Sequence, residues 1–249
     1  MKRNIQVLLL LLSGAGLLHI SLFSDVYLRY VKEGLRLPLI MSALLLIALG
    51  LVGAARDGFP LARPAEAGEQ GHEDHGHGHD HSGGPKIAWL LFLPAITLLF
   101  FAPPALGAYT ASRGDDTAVA EQARFPPLPD QSPHPMSLSA FSSRARQDPE
   151  RSLEDRRVRM TGFVTPGEDG GWYLTRLVLS CCAADSQSIK VEMHGASPPS
   201  ADSWVTVTGT WRPVGKVGTA SAAAALDTDE VRRIRQPANP YMDTAPPAA

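Results

Sequence analysis

Cysteine is nearly absent from this chain: there are two, adjacent at Cys181 and Cys182. That excludes a scaffold stapled by several disulfides, and a bond between neighbours would need a strained ring. Excess charge of one sign is also missing. Lys and Arg number 23 and Asp and Glu 25, a formal net charge of −2, which argues against a protein built to neutralise a phosphate backbone. There is no C-x-x-C, nucleophile elbow, phosphate loop or pair of carboxylates at catalytic spacing. These absences speak against an enzyme. No internal repeat is present either, so neither a solenoid nor an inverted-repeat transporter is indicated.

What the chain does contain is unevenly spread. Ile5 to Phe23 and Leu37 to Ala55 are each nineteen residues without a formal charge, and residues 87–111 carry none. At a helical rise of about 1.5 Å per residue, each run can cross a hydrocarbon core of roughly 30 Å. Lys2 and Arg3 precede the first run as they would a signal peptide. The run is longer than a secretory core and lacks a small-residue cleavage site, so a retained helix is expected. Pro94, Pro103 and Pro104 predict a kinked third span that stops early. The expected spans are 5–23, 37–55 and 87–108, with a loop at 56–86 and the end of the third run at an interface or on a partner. Five Lys/Arg on one side against four on the other favour an inside N-terminus. That places the 56–86 loop in the cytoplasm and the C-terminal half outside the membrane.

Residues 112–136 hold Pro126, Pro127, Pro129, Pro133 and Pro135 and read as an extended linker. Residues 137–245 read as a soluble all-β domain. A short helix is expected over Ser139 to Gln147. Strands are expected over 158–164, 172–179, 189–193 and 204–211, with a weaker one around 230–234. Five short strands in about 100 residues suggest an OB-like small barrel, with Gly162 and Gly209 inside strand patterns as at barrel bends. Residues 137–249 balance thirteen basic against thirteen acidic side chains. The basic groove of a nucleic-acid-binding barrel is therefore not evident.

Two local features carry chemistry. Residues 71–81 contain five of the eight histidines, His72, His75, His77, His79 and His81, with Glu73, Asp74 and Asp80 among them. Neutral imidazole binds zinc, copper, nickel and cobalt. The interleaved glycines oppose a fixed helix and suit capture and release of a cation. The bland alternative is a polar inter-span loop rich in histidine by drift. The second feature is Cys181-Cys182 with Asp185, a thiol or metal site to which His194 is a candidate addition. If the two cysteines continue a strand, one thiol faces the core and one the surface. The competing reading is a buried cysteine beside an incidental neighbour. His19 lies within the first span, where an ionisable residue either lines a path or hydrogen-bonds at an interface. Asp25, Arg29, Lys32 and Glu33 read as an ordinary polar loop.

Several of these stretches together resemble the YcgQ-type family of bacterial membrane proteins regarded as permease subunits. The resemblance runs through Arg36-Leu-Pro-Leu, the His-rich loop, Pro104-Ala-Leu-Gly-Ala108, Leu177-Val-Leu-Ser-Cys-Cys-Ala-Ala-Asp185, Trp204 to Trp211 and Asn239-Pro-Tyr241. It is weakest beyond Trp211. It implies a multi-spanning permease encoded nearby as partner and carries the family's Cys-Cys-x-x-Asp onto Cys181, Cys182 and Asp185, with no catalytic residue. The expected function is an accessory subunit of a two-component permease in a bacterial plasma membrane. It would handle a divalent metal ion, zinc or another transition metal, or a related small solute. The alternative is a stand-alone membrane-anchored metal chaperone or sensor.

Overall fold

The structure, a computed structural model, describes residues 2–57, 105–114, 122, 124–167 and 170–247. These fall into two compact units. One draws on Met1–Gly16 and Ser42–Pro104, the other on Leu17–Met41 and Ala105–Ala249.

The first unit takes residues 2–16 of helix α1 (Lys2–Phe23) and residues 42–57 of helix α2 (Arg36–Asp57), which run antiparallel. Both are long and apolar enough to cross a membrane. Leu8, Leu12, Leu45 and Leu49 point outward and exposed. Small residues set the helix spacing. A Cβ at Gly14 would sit 2.7 Å from Ile47 Cγ1, and one at Gly50 would sit 2.7 Å from Leu11 Cδ2. Ala43 is fully buried. Close approach through small residues is how apolar helices associate where burial from water contributes nothing. The third expected span, 87–108, lies outside the described residues except for Ala105 to Ala108, of which residues 105–107 are not helical. They lead into α3 (Ala108–Arg113), which packs on the β-domain.

The second unit is built on a closed five-stranded barrel. Its strands are β2 (Arg157–Pro166), β3 (Trp172–Val178), β4 (Gln187–His194), β5 (Trp204–Val214) and β6 (Ala223–Arg233). They pair in the order β2-β3-β4-β6-β5, and β5 closes on β2. All these pairs are antiparallel except β4 with β6. A two-residue strand β1 (His134–Pro135) adds to β2. Alternation along β2 sends Val158, Met160 and Val164 inward, where they meet Trp172, Leu174, Val191, Val205, Val207 and Leu226. The expected bends are real. A Cβ at Gly162 would meet the Thr175 carbonyl at 2.7 Å, and one at Gly209 would run into the Asp227 carbonyl, at the bulge between Thr208 and Gly209.

Helix α4 (Leu138–Gln147) packs Leu138, Phe141 and Ala145 into the barrel core. Its first turn is satisfied twice. Ser137 Oγ accepts from the Ala140 amide, and the Asp243 carboxylate accepts from the amides of Leu138 and Ser139 at 3.0 and 2.7 Å. Such bonds remove orphan donors at a helix start. The Pro-rich stretch is not a free spacer where it is described. Arg144, buried, donates to the Pro126 carbonyl at 2.8 Å and lies over the Phe125 ring, while Leu128 and Met136 pack on the core.

Candidate functional site: the Cys181–Cys182–Asp185 turn

Strand β3 ends at Val178, and the chain then turns before Cys181. The strand alternation therefore stops short of the cysteines, and the expectation that their thiols face opposite sides does not hold. Cys182 instead precedes a single 3-10 turn, Ala183–Asp185. The Cys182 sulfur accepts from the Asp185 amide while the Asp185 carboxylate accepts from the Cys182 amide. This reciprocal cap folds the side chains together. One ligand atom from each of Cys181, Cys182 and Asp185 lies within 4.8 Å of the others. Both cysteines are free thiols, Cys181 exposed and Cys182 half-buried.

Electrostatics separate the roles. The Asp185 carboxylate takes amide hydrogen bonds from Ser180, Cys181 and Cys182 at 3.0, 2.7 and 3.3 Å. The Cys181 thiol donates to it as well, and this bond foremost, with the amides adding to it, holds the carboxyl below its usual range. The same thiol-to-carboxylate bond is the main reason the Cys181 thiol is pushed up to about 11, with Cys182 adding to it. At neutral pH the turn thus holds one fixed negative charge beside a protonated Cys181 thiol. That is a poor nucleophile and a good latent chelator, because a cation can replace the thiol proton. Zinc binds thiolate sulfur at about 2.3 Å and carboxylate oxygen at about 2.0–2.2 Å. Small side-chain rotations bring a cluster of this size to that spacing, and two thiols with one carboxylate suit a borderline-soft divalent ion. His194 does not join them. It lies at the far end of β4, with Nε2 3.2 Å from Glu192 Oε1.

A feature that sequence reading missed holds the turn in place. The segment between α1 and α2 is not a plain polar loop. It forms two 3-10 turns, Val26–Arg29 and Glu33–Leu35, with Tyr27 and Leu28 buried. Between them Val31 forms an antiparallel bridge with Cys182. The Lys32 amide donates to the Cys181 carbonyl at 3.1 Å, and the Ala183 amide donates to the Tyr30 carbonyl at 2.8 Å. Asn239 Nδ2 reaches Glu33 Oε2 at 3.4 Å. A cavity of about 600 Å3 opens beside this bridge, walled by Val31, Gly34, Val178, Leu179, Ile189 and Tyr241, with Glu33 and Asp243 among its polar groups. Tyr241 is buried and its hydroxyl accepts from the Leu106 amide at 2.7 Å, so the Asn239-Pro-Tyr241 stretch ties residues 105–107 to the barrel. The only signal for any of this in the sequence is the pair of aromatic residues, Tyr27 and Tyr30, between the two apolar runs.

The other expected ligands, His72, His75, His77, His79, His81, Asp74 and Asp80, lie outside the described residues. His19 is exposed and sits against Phe23, ring centroids 5.5 Å apart. No curated protein and no solved structure matches the chain. Residues 147–242, which include the whole barrel and the cysteine turn, match an uncharacterised family described as the DUF1980 C-terminal domain.

Proposed function

We propose that this protein is an accessory subunit of a two-component membrane permease and that it handles a divalent transition metal. The observation that carries the reading is the gathering of Cys181, Cys182 and Asp185 on a turn bridged to the connector of the two apolar helices. A metal-responsive turn bridged to that connector is positioned to report to, or receive from, the membrane segments. Two described helices are few for an autonomous path, and the YcgQ-type resemblance supplies the permease partner. The strand order, with one parallel pair, supports an OB-like reading of the barrel. In the proposed topology the barrel lies outside the membrane and residues 56–86 inside. The histidine tract then serves as a second, looser cation-binding segment on the opposite face.

The experiment is co-purification of the full chain with the multi-spanning permease encoded beside it, followed by elemental analysis. The proposal expects a stable pair and about one zinc, copper, nickel or cobalt equivalent lost on Cys181→Ser or Cys182→Ser. Deletion of residues 71–81 should remove further equivalents without disturbing the first. A chain that purifies alone and carries the same metal content in every variant contradicts it.

A further inference from the structure

The barrel's outer face carries a second site, independent of the cysteine turn. Thr161 pairs with Thr206, and Thr206 with Arg232, in one row across β2, β5 and β6. Arg159 stands two residues from Thr161 and so shares its face. Arg176 comes in from β3: its Nε donates to the Thr161 carbonyl at 2.9 Å, and its guanidinium lies over the Trp204 ring. The result is a groove of about 420 Å3 whose wall holds three arginines and, among the described residues, no carboxylate.

These arginines are under-used by the fold. Arg176 is 2% exposed, and its second acceptor, the Pro240 carbonyl, is distant at 3.4 Å. Burial lowers its pKa while the charge of Asp243 opposes that effect, and a guanidinium stays charged at neutral pH. Asp243 is itself committed to the start of α4. Arg159 Nε is buried with no hydrogen-bond partner, and Arg159 Nη2 donates only to a neutral carbonyl, that of Pro247 in the C-terminal segment. A buried guanidinium donor without an acceptor is costly, and an oxyanion is the partner that satisfies it best. Three arginines beside the Thr161 and Thr206 hydroxyls match the several acceptor oxygens of a phosphate.

We propose that the Arg159–Arg176–Arg232 groove binds a phosphate group, with the headgroup of an anionic phospholipid as the favoured source. The source follows from place. Pro237 lines both this groove and the neighbouring hollow of Asp25, Val26 and Arg29, which belongs to the connector of the two apolar helices. The groove thus opens beside the segment that leads into the membrane, where basic side chains meet lipid phosphates. The stretch Thr244 to Pro247 lines the groove and is the part a headgroup displaces.

The test uses the full chain in neutral detergent. Three probes are titrated separately: inorganic phosphate, short-chain phosphatidylglycerol and short-chain phosphatidylcholine. Tryptophan fluorescence is the readout, since Arg176 lies 4.7 Å from the Trp204 ring. The variants are the Arg159→Gln/Arg232→Gln pair, which leaves the structural Arg176 in place, and Arg212→Gln, which removes an exposed arginine paired with Asp227 elsewhere on the barrel. Phosphatidylglycerol should bind, and the double variant should weaken it about tenfold or more, with Arg212→Gln unchanged. The same pattern with inorganic phosphate alone keeps the phosphate site and overturns the lipid source. Equal binding of phosphatidylcholine and phosphatidylglycerol, equal loss in Arg212→Gln, or no loss in the double variant overturns the site.

Discussion

Single residues decide more here than their sequence surroundings suggest. Asp185 reads as a common turn acid, yet it collects three amides and a thiol and so determines where both cysteines point. The Cys-x-x-Asp spacing was visible in advance, but its geometry was not. Strand alternation is a rule about strands, and β3 ends before it reaches Cys181. His134 makes a separate residue-scale prediction. Burial is the main cause, and the charges of Arg144 and Arg156 lesser ones, that hold its pKa below the ordinary 6.5. The unfolded chain therefore binds a proton more readily than the folded one. Stability is fully present above about pH 6.5 and falls as pH drops through the lowered folded value. Thermal melts of the full chain from pH 7.5 to pH 5 should show a drop that His134→Gln reduces. A His134→Gln profile as steep as the wild type would refute this.

Elements were legible where one rule governed them. Four strands followed from alternation or β-branched runs, because each has one face buried in the barrel. Strand β6 was foreseen only in its last residues. Its first half, Ala223 to Leu226, is alanine-rich and reads as poor strand, but Ala224, Ala225 and Leu226 are buried. Small side chains there fit beside β4 and let β5 approach at Gly209, so tertiary packing overrides propensity. Gly209→Val should therefore destabilise the barrel by about 1–3 kcal/mol, because its side chain meets the Asp227 carbonyl and Leu226 with no room to yield. Denaturant melts followed by tryptophan fluorescence would measure it, and an unchanged midpoint would show that the bulge relaxes freely. The Pro-rich segment reversed its expectation for a related reason. Proline stiffens a chain but does not keep it from packing, and Arg144 and the barrel core hold residues 125–136 in place.

At the scale of the whole molecule, the chain returns to itself across long separations that no local pattern encodes. The turn at Cys182 pairs with Val31, Asn239 meets Glu33, and Tyr241 meets Leu106. The two apolar helices were evident from length and hydropathy alone, but the bridging of their connector to the cysteine turn was not. That bridge can be loosened selectively. Lys32 has φ −60°, which proline tolerates, so Lys32→Pro chiefly deletes the amide that bonds the Cys181 carbonyl. It should weaken metal binding at the turn by about tenfold at most, read by competition with a colorimetric chelator, while both helices remain. Unaltered affinity would uncouple the turn from the connector. Binding of a cation by Cys181, Cys182 and Asp185 can be read by zinc K-edge absorption on the zinc-loaded chain from which residues 71–81 are deleted. Two sulfur scatterers are expected at about 2.3 Å, lost together in the Cys181→Ser/Cys182→Ser double variant. A first shell of nitrogen and oxygen only would contradict it.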